Sequence, residues 1–351
     1  MRPTIQGLVP RFAGLLLAAG SLLCVAAGDA AAADDFYKGK RVNLVVSGGG
    51  SYEAYARLVG KYLPKYIPGE PSFVVKTMPG SSGLKATNYM YNVAPKDGTE
   101  IAAVHGHIPT APIMKTEGTE YDSTKLGWIG SITKEIYIGY MWHTSPVLTL
   151  ADAFVKESIV GGGAVGSFSI DMAILTNEML GTKFKIITGY VINQESNLAV
   201  ERGELHGKFG TTWTNLLTQQ PQWVKDKKVK VIAQFGRNKH KELPDVPLLL
   251  DHVKPGDDRT ALELYLARQE TGKPYFVPPG VPKERLELLR RAFDSVVKDP
   301  AFLADCAAAT LEVTEPMTGA EIEAYVGEMS KASPAAIKRL NDIFTKFASM
   351  K

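Results

Sequence analysis

The sequence predicts an α/β protein of two lobes, each a mostly parallel sheet flanked by helices, with a helical C-terminal segment. Three observations carry this. Short β-branched runs bounded by Gly or Pro alternate with helical patterns through most of the chain. A strand running into a glycine-rich loop and then a helix occurs twice in the first half and twice again in the second. From Pro282 onward the pattern is almost wholly helical. At 351 residues the chain is long enough for two domains of ~150 residues each.

The elements follow in order. Arg2 and Arg11 flank a positive start, Phe12 to Ala27 is apolar, and Ala31-Ala32-Ala33 is a small-residue cleavage site. Residues 1–33 therefore read as a cleavable secretory signal peptide, which predicts export. Strands are predicted at Val42–Val46, Phe73–Lys76, Ile101–Val104, Ile136–Trp142, Phe184–Thr188 and Val229–Gln234. Between the first two, Ala56, Val59 and Leu63 recur at helical spacing. Pro282 opens a helix with Leu286, Leu289, Phe293 and Val296 on one face. Thr318 and Glu321 have the spacing of a capping box. Ser333-Pro334 starts a last helix that turns Ile337, Leu340, Ile343 and Phe344 inward.

Charge and cysteine content exclude several classes. The 40 basic and 37 acidic residues are interspersed, with no basic stripe, so no nucleic-acid partner is expected. Loss of Cys24 with the signal leaves Cys306 alone, so the exported fold rests on packing without an internal disulfide. There is no G-x-x-x-x-G-K-[ST], no G-x-S-x-G and no H-E-x-x-H. His105 and His107 stand two apart at a strand end, which is not a metal-ligand spacing. No metal, cofactor or catalytic set is expected.

The glycine loops are the candidate chemistry. They comprise Gly48-Gly49-Gly50-Ser51, Pro79-Gly80-Ser81-Ser82-Gly83, Gly161-Gly162-Gly163 with Ser167 and Ser169, and Gly189-Tyr190. Each follows a strand-like run, Ile159-Val160 in the case of the third, and the carboxyl ends of strands are where open α/β sheets bind ligands. Such a turn points N–H groups at a ligand, and the helix that follows favours an anion by roughly 0.3–1 kcal/mol, up to ~2 when partly buried. Two lobes facing each other would make one cleft with four loops, suited to a carboxylate or phosphate. Gly161–Gly166 also matches G-x-G-x-x-G, which leaves an exported nucleotide-dependent enzyme as the alternative. Against it, the next strand ends Thr188-Gly189-Tyr190, with no acid to hold a ribose.

Six segments in order then resemble a known family. They are Phe36–Lys40, Gly49–Glu53 with Ala56-Arg57, Met78–Gly83, Ala94–Thr99, Leu243–Pro247 and Pro278–Pro282. Their order and spacing resemble the Bug family of periplasmic solute-binding proteins, the extracytoplasmic component of tripartite tricarboxylate transporters. The resemblance implies a two-lobed periplasmic-binding-protein-like (flytrap) fold that closes on a small organic carboxylate and performs no chemistry. It implies crossings between lobes near Thr133 and Arg268, with lobe 1 formed by 34–133 plus 269–351 and lobe 2 by 134–268. The implied ligand-binding residues are Ser47, Gly49, Gly50, Ser51, Tyr52 and Glu53 in the first loop, and Gly80, Ser81, Ser82 and Gly83 in the second. Gly162, Gly163, Ser167 and Ser169 follow in the third, and Gly189, Tyr190 and Asn193 in the fourth. The implied partners are membrane transporter subunits or a sensor kinase, and the protein is expected to be a periplasmic monomer.

The chain departs from the family at Ser47, where Pro is usual, and at Glu53, where Asp is usual. The fourth loop, 189–196, lacks the small residues and proline often found there. Trp142, Trp213 and Tyr190 are readable either as walls for an aromatic or large ligand or as ordinary packing.

Overall fold

Two sheets organise the computed structural model, which describes residues 36–190 and 193–349. The signal peptide read at 1–33 and the middle of the fourth loop lie outside the described residues. The strands are β1 (Arg41–Val46), β2 (Ser72–Thr77), β3 (Glu100–Ala103), β4 (Gly127–Ser131), β5 (Tyr137–Trp142), β6 (Ser158–Gly162), β7 (Phe184–Thr188), β8 (Gly207–Thr212), β9 (Val229–Phe235), β10 (Pro274–Val277) and β11 (Met317–Thr318). The first sheet has the order β11-β4-β10-β3-β1-β2 and the second β7-β6-β8-β5-β9. The helices are α1 (Ser51–Tyr62), α2 (Leu84–Asn92), α3 (Phe168–Leu180), α4 (Asn193–Glu201), α5 (Trp213–Gln219), α6 (Pro221–Lys225), α7 (Leu249–His252), α8 (Asp257–Leu266), α9 (Lys283–Val296), α10 (Pro300–Ala308), α11 (Gly319–Met329) and α12 (Pro334–Ser349).

The two-lobed α/β expectation holds, but each sheet is mixed rather than mostly parallel. β1 runs parallel to β2 and β3, and β6 runs parallel to β7 and β8. β10 is antiparallel to both β3 and β4, and β5 is antiparallel to both β8 and β9. The cause is the crossing itself. The chain leaves the first sheet at the carboxyl end of β4, so it enters the second at the edge that faces the first. β5 must then run against its neighbours, and the returning β10 does the same in the first sheet.

β4 and β8 escape sequence reading because glycine dilutes their pattern. Their glycines serve close approach: a Cβ at Gly130 would lie 2.5 Å from the Phe293 ring. Phe293 belongs to the predicted inward face of α9, and Leu289, Phe293 and Val296 are buried there beneath β4. The capping box forms as the spacing predicts, with Thr318 Oγ1 accepting from the Glu321 amide and Glu321 accepting from the Thr318 amide.

The last helix departs from the expected lobe assignment. α12 packs on α8 and α3, and its Ala336, Leu340 and Ile343 are buried in the core of the second sheet rather than the first. The chain thus passes between sheets once more before α12, because the apolar stripe of α12 finds its partner on α8.

The crossing segments are laced together. The Glu135 amide donates to Gln269 O at 2.9 Å, the Gly272 amide to Thr133 O at 3.0 Å and the Lys134 amide to Thr314 O at 2.8 Å. Only glycine fits at 272, where a Cβ would stand 2.8 Å from Thr133 O.

Candidate functional site

The first two loops meet around one histidine. Ser47 directly follows β1, is buried, and holds His105 Nδ1 at 2.9 Å through its hydroxyl. The Tyr52 ring lies on the His105 ring at 4.2 Å. Gly83, at φ 96, closes the second loop onto the first, and a Cβ there would meet His105 Nδ1 at 2.9 Å and Ser47 Cβ at 3.0 Å. Gly80 (φ 141), Ser81 (φ 46) and Ser82 (φ 51) precede it with positive φ. Left-handed backbone at a non-glycine residue costs on the order of 1–3 kcal/mol, a strain characteristic of ligand clamps. Gly49 leads into Gly50, which caps α1 at φ 65, and Ser51 begins the helix. Glu53 forms an ion pair with Arg57 one turn along α1, so its carboxylate is engaged on the helix surface.

Burial pushes the His105 imidazole down to about 4 and that of His107 down to about 3. Both are neutral at pH 7. Neither adds charge to the cleft.

The third and fourth loops form a second cluster. The Gly189 amide donates to Gly163 O at 3.1 Å and the Tyr190 amide to Gly162 O at 3.0 Å. Ser167 Oγ donates to Ala164 O and lies 3.3 Å from Ser169 Oγ. The N-terminus of α3 already holds a carboxylate. Asp171 accepts from the Gly166 amide at 2.7 Å and from the Tyr265 hydroxyl at 2.6 Å. A nucleotide phosphate at Gly161–Gly166 would face that carboxylate, which weighs against the enzyme alternative. Asn193 opens α4.

The aromatic candidates divide. Trp142 lies at the far end of β5 and packs edge-on against Trp223 at 5.0 Å. Tyr190 packs against the same cluster. Trp213 packs against that cluster too, and it also lines the interlobe pocket and donates to Glu242 at 2.8 Å.

Sequence reading missed the pair at the centre. Lys273, just before β10, forms an ion pair with Glu135 of the first crossing, and Tyr137 donates to Glu135 at 2.7 Å. The Lys273 ammonium also sits 4.2 Å over the Tyr52 ring. Burial by itself would lower its pKa, but Glu135 holds it above the usual lysine range. The available signal was a lysine directly before an apolar strand.

On this pair opens a cavity of about 100 Å³. It takes Ser51 and Tyr55 from the first lobe, Thr212, Trp213 and Arg237 from the second, and Glu135 and Lys273 from the crossings. Of the residues expected to bind ligand, only Ser51 lines it.

Two mixed α/β sheets with a pocket between them at the crossing strands define the periplasmic-binding-protein class of fold. No family model matches the chain. A UPF0065 protein of Bordetella bronchiseptica is 24% identical over 301 residues, covering 84% of each chain. A TctC solute-binding protein from Polaromonas, solved without ligand, matches with a TM-score of 0.66 at 19% identity, over 87% of this chain and 99% of its own. MatC from Rhodopseudomonas palustris with bound malate matches with a TM-score of 0.58 at 18% identity, over 87% and 98%. The chain is thus similar in sequence to a UPF0065 protein and shares the fold of the TctC solute-binding proteins.

Proposed function

We propose that the protein is a periplasmic solute-binding protein that captures a small organic carboxylate between its lobes and delivers it to a tripartite tricarboxylate-type transporter. The observation that carries this is the pocket lined jointly by both lobes and by the crossing strands. A ligand held there bridges the lobes and stabilises their closed arrangement, and opening at the laced crossings releases it. The lobes are taken as 34–133 with the chain from 269 through α11, and 134–268 with α12 added. The malate carried by one fold neighbour supports a carboxylate ligand.

In this reading the exposed Ser51 hydroxyl donates to the ligand in the pocket, and the Ser81 and Ser82 hydroxyls and the Gly49, Gly50 and Gly163 amides, outside the pocket lining, donate through ordered water. Closure excludes bulk water, and hydrogen bonds strengthen in the lower dielectric. The role is binding and release.

The test is thermal unfolding of the purified protein, stripped of bound ligand, against mono-, di- and tricarboxylates, aromatic acids and amino acids. A ligand at ~100 times its Kd adds ~2.7 kcal/mol to the native state. That raises the midpoint by several degrees, at ~2–4 °C per kcal/mol. A selective shift is the expected result, and a shift with nucleotides alone would replace this reading with the enzyme. Intact mass of protein recovered from the periplasm checks the cut after Ala33.

A further inference from the structure

Resting on the solute-binding reading, we infer that the interlobe pocket takes a zwitterion, a ligand with one carboxylate and one ammonium on an apolar body, in preference to a di- or tricarboxylate. The argument is the pairing of charges on the pocket wall. Three cations, Lys134, Arg237 and Lys273, and four carboxylates, Glu135, Glu270, Glu312 and Glu315, line it. The His240 imidazole is also on the wall, where its Nδ1 accepts the Glu242 amide at 3.1 Å.

Most of these charges are already committed. Lys273 is paired with Glu135. Lys134 bridges Glu270 at 3.4 Å and Glu315 at 3.1 Å. Two groups are left over. Arg237 lies 6.0 Å over the Tyr325 ring and has no carboxylate within ion-pair distance among the described residues. Glu312 accepts a hydrogen bond from the Thr214 hydroxyl and has no cation within ion-pair distance among the described residues. Arg237 and Glu312 share the pocket without pairing with each other.

One open guanidinium and one open carboxylate form the complement of an ammonium carboxylate. The sum over the wall is one negative charge, which opposes a second or third carboxylate on the ligand. On the same wall, Tyr55, Ile136, Trp213 and Leu311 provide apolar surface for the ligand body.

Calorimetric titration of the purified, ligand-stripped protein tests this with matched probes. The zwitterions are 5-aminopentanoate, leucine and phenylalanine, and the polyanions are glutarate, adipate, malate and citrate. At least one zwitterion should bind tenfold or more tightly than every polyanion. Glu312→Gln, which retains the acceptor for Thr214, should weaken that zwitterion at least tenfold while leaving polyanions unchanged or improved. Arg237→Gln should weaken it at least tenfold as well, with thermal midpoints confirming that both variants fold. A polyanion that binds as tightly as the best zwitterion overturns the inference and leaves the solute-binding reading standing. Zwitterion binding insensitive to both substitutions also overturns it, because the ligand then lies elsewhere. Binding by no probe of either set counts against both readings.

Discussion

Lys273→Met should destabilise the fold by about 3 kcal/mol. The Lys273 side chain is 5% exposed and that of Glu135 is 18% exposed, so their ion pair lies almost wholly inside the protein. Removing one partner of a buried pair costs roughly 3–5 kcal/mol, because the other charge stays behind uncompensated. Glu135 keeps its hydrogen bond from Tyr137 at 2.7 Å and some contact with solvent, which places the loss at the low end of that range. The lost cation–π contact to Tyr52 at 4.2 Å is part of the same cost. At ~2–4 °C per kcal/mol the thermal midpoint falls by roughly 6–12 °C. Calorimetric melting of Lys273→Met, Glu135→Gln and the double variant is the assay. The double variant should recover most of the loss of Lys273→Met, since no buried carboxylate charge remains. A single variant within ~1 kcal/mol of the wild type would refute the argument, as would a double variant as unstable as the two singles added.

Three further outcomes are expected. Gly83→Ala must place a Cβ 2.9 Å from His105 Nδ1 at φ 96, so a loss of about 1–3 kcal/mol should appear in chemical unfolding. Asp299 caps α10 through the Ala301 amide and accepts from Lys65 and Tyr66, which lower its carboxyl to about 2. Its folded value lies below its unfolded one, so its stabilisation is present above about pH 4 and is lost as pH falls toward about 2. Melting from pH 2 to 6 should show a shallower acid slope for Asp299→Asn. Burial lowers His105 to about 4, so its stabilisation is full above the unfolded value near 6.5 and declines as pH falls toward 4. NMR titration should find the His105 ring neutral at pH 5.5, and a ring that protonates near 6.5 would contradict its burial against Ser47 and Tyr52.

The glycine-rich loops were legible in the sequence because turns after β-branched runs are local signals. Ser47, Gly83 and Tyr52 do converge, but on His105, a residue that the sequence showed only as one of two histidines near a strand end. Glu53 turned to Arg57, a partner one helical turn away that competes with any distal ligand. At Ser167 and Ser169 the loop exists as read, but Asp171 occupies the helix end that an anion would use.

What the sequence determined by itself is local: the alternation of strands and helices, the Thr318–Glu321 cap, the proline-started helices, and loops at the carboxyl ends of strands. Each depends on residues within a turn or two of one another. The tertiary structure alone decided the direction of β5 and β10, the docking of α12 on the second sheet, and the pocket. Lys273 and Glu135 stand 138 positions apart, and Thr214 and Glu312 stand 98 apart. No periodicity links such residues. They meet because the chain crosses between the sheets, and a crossing fixes strand direction and brings distant charges onto one wall.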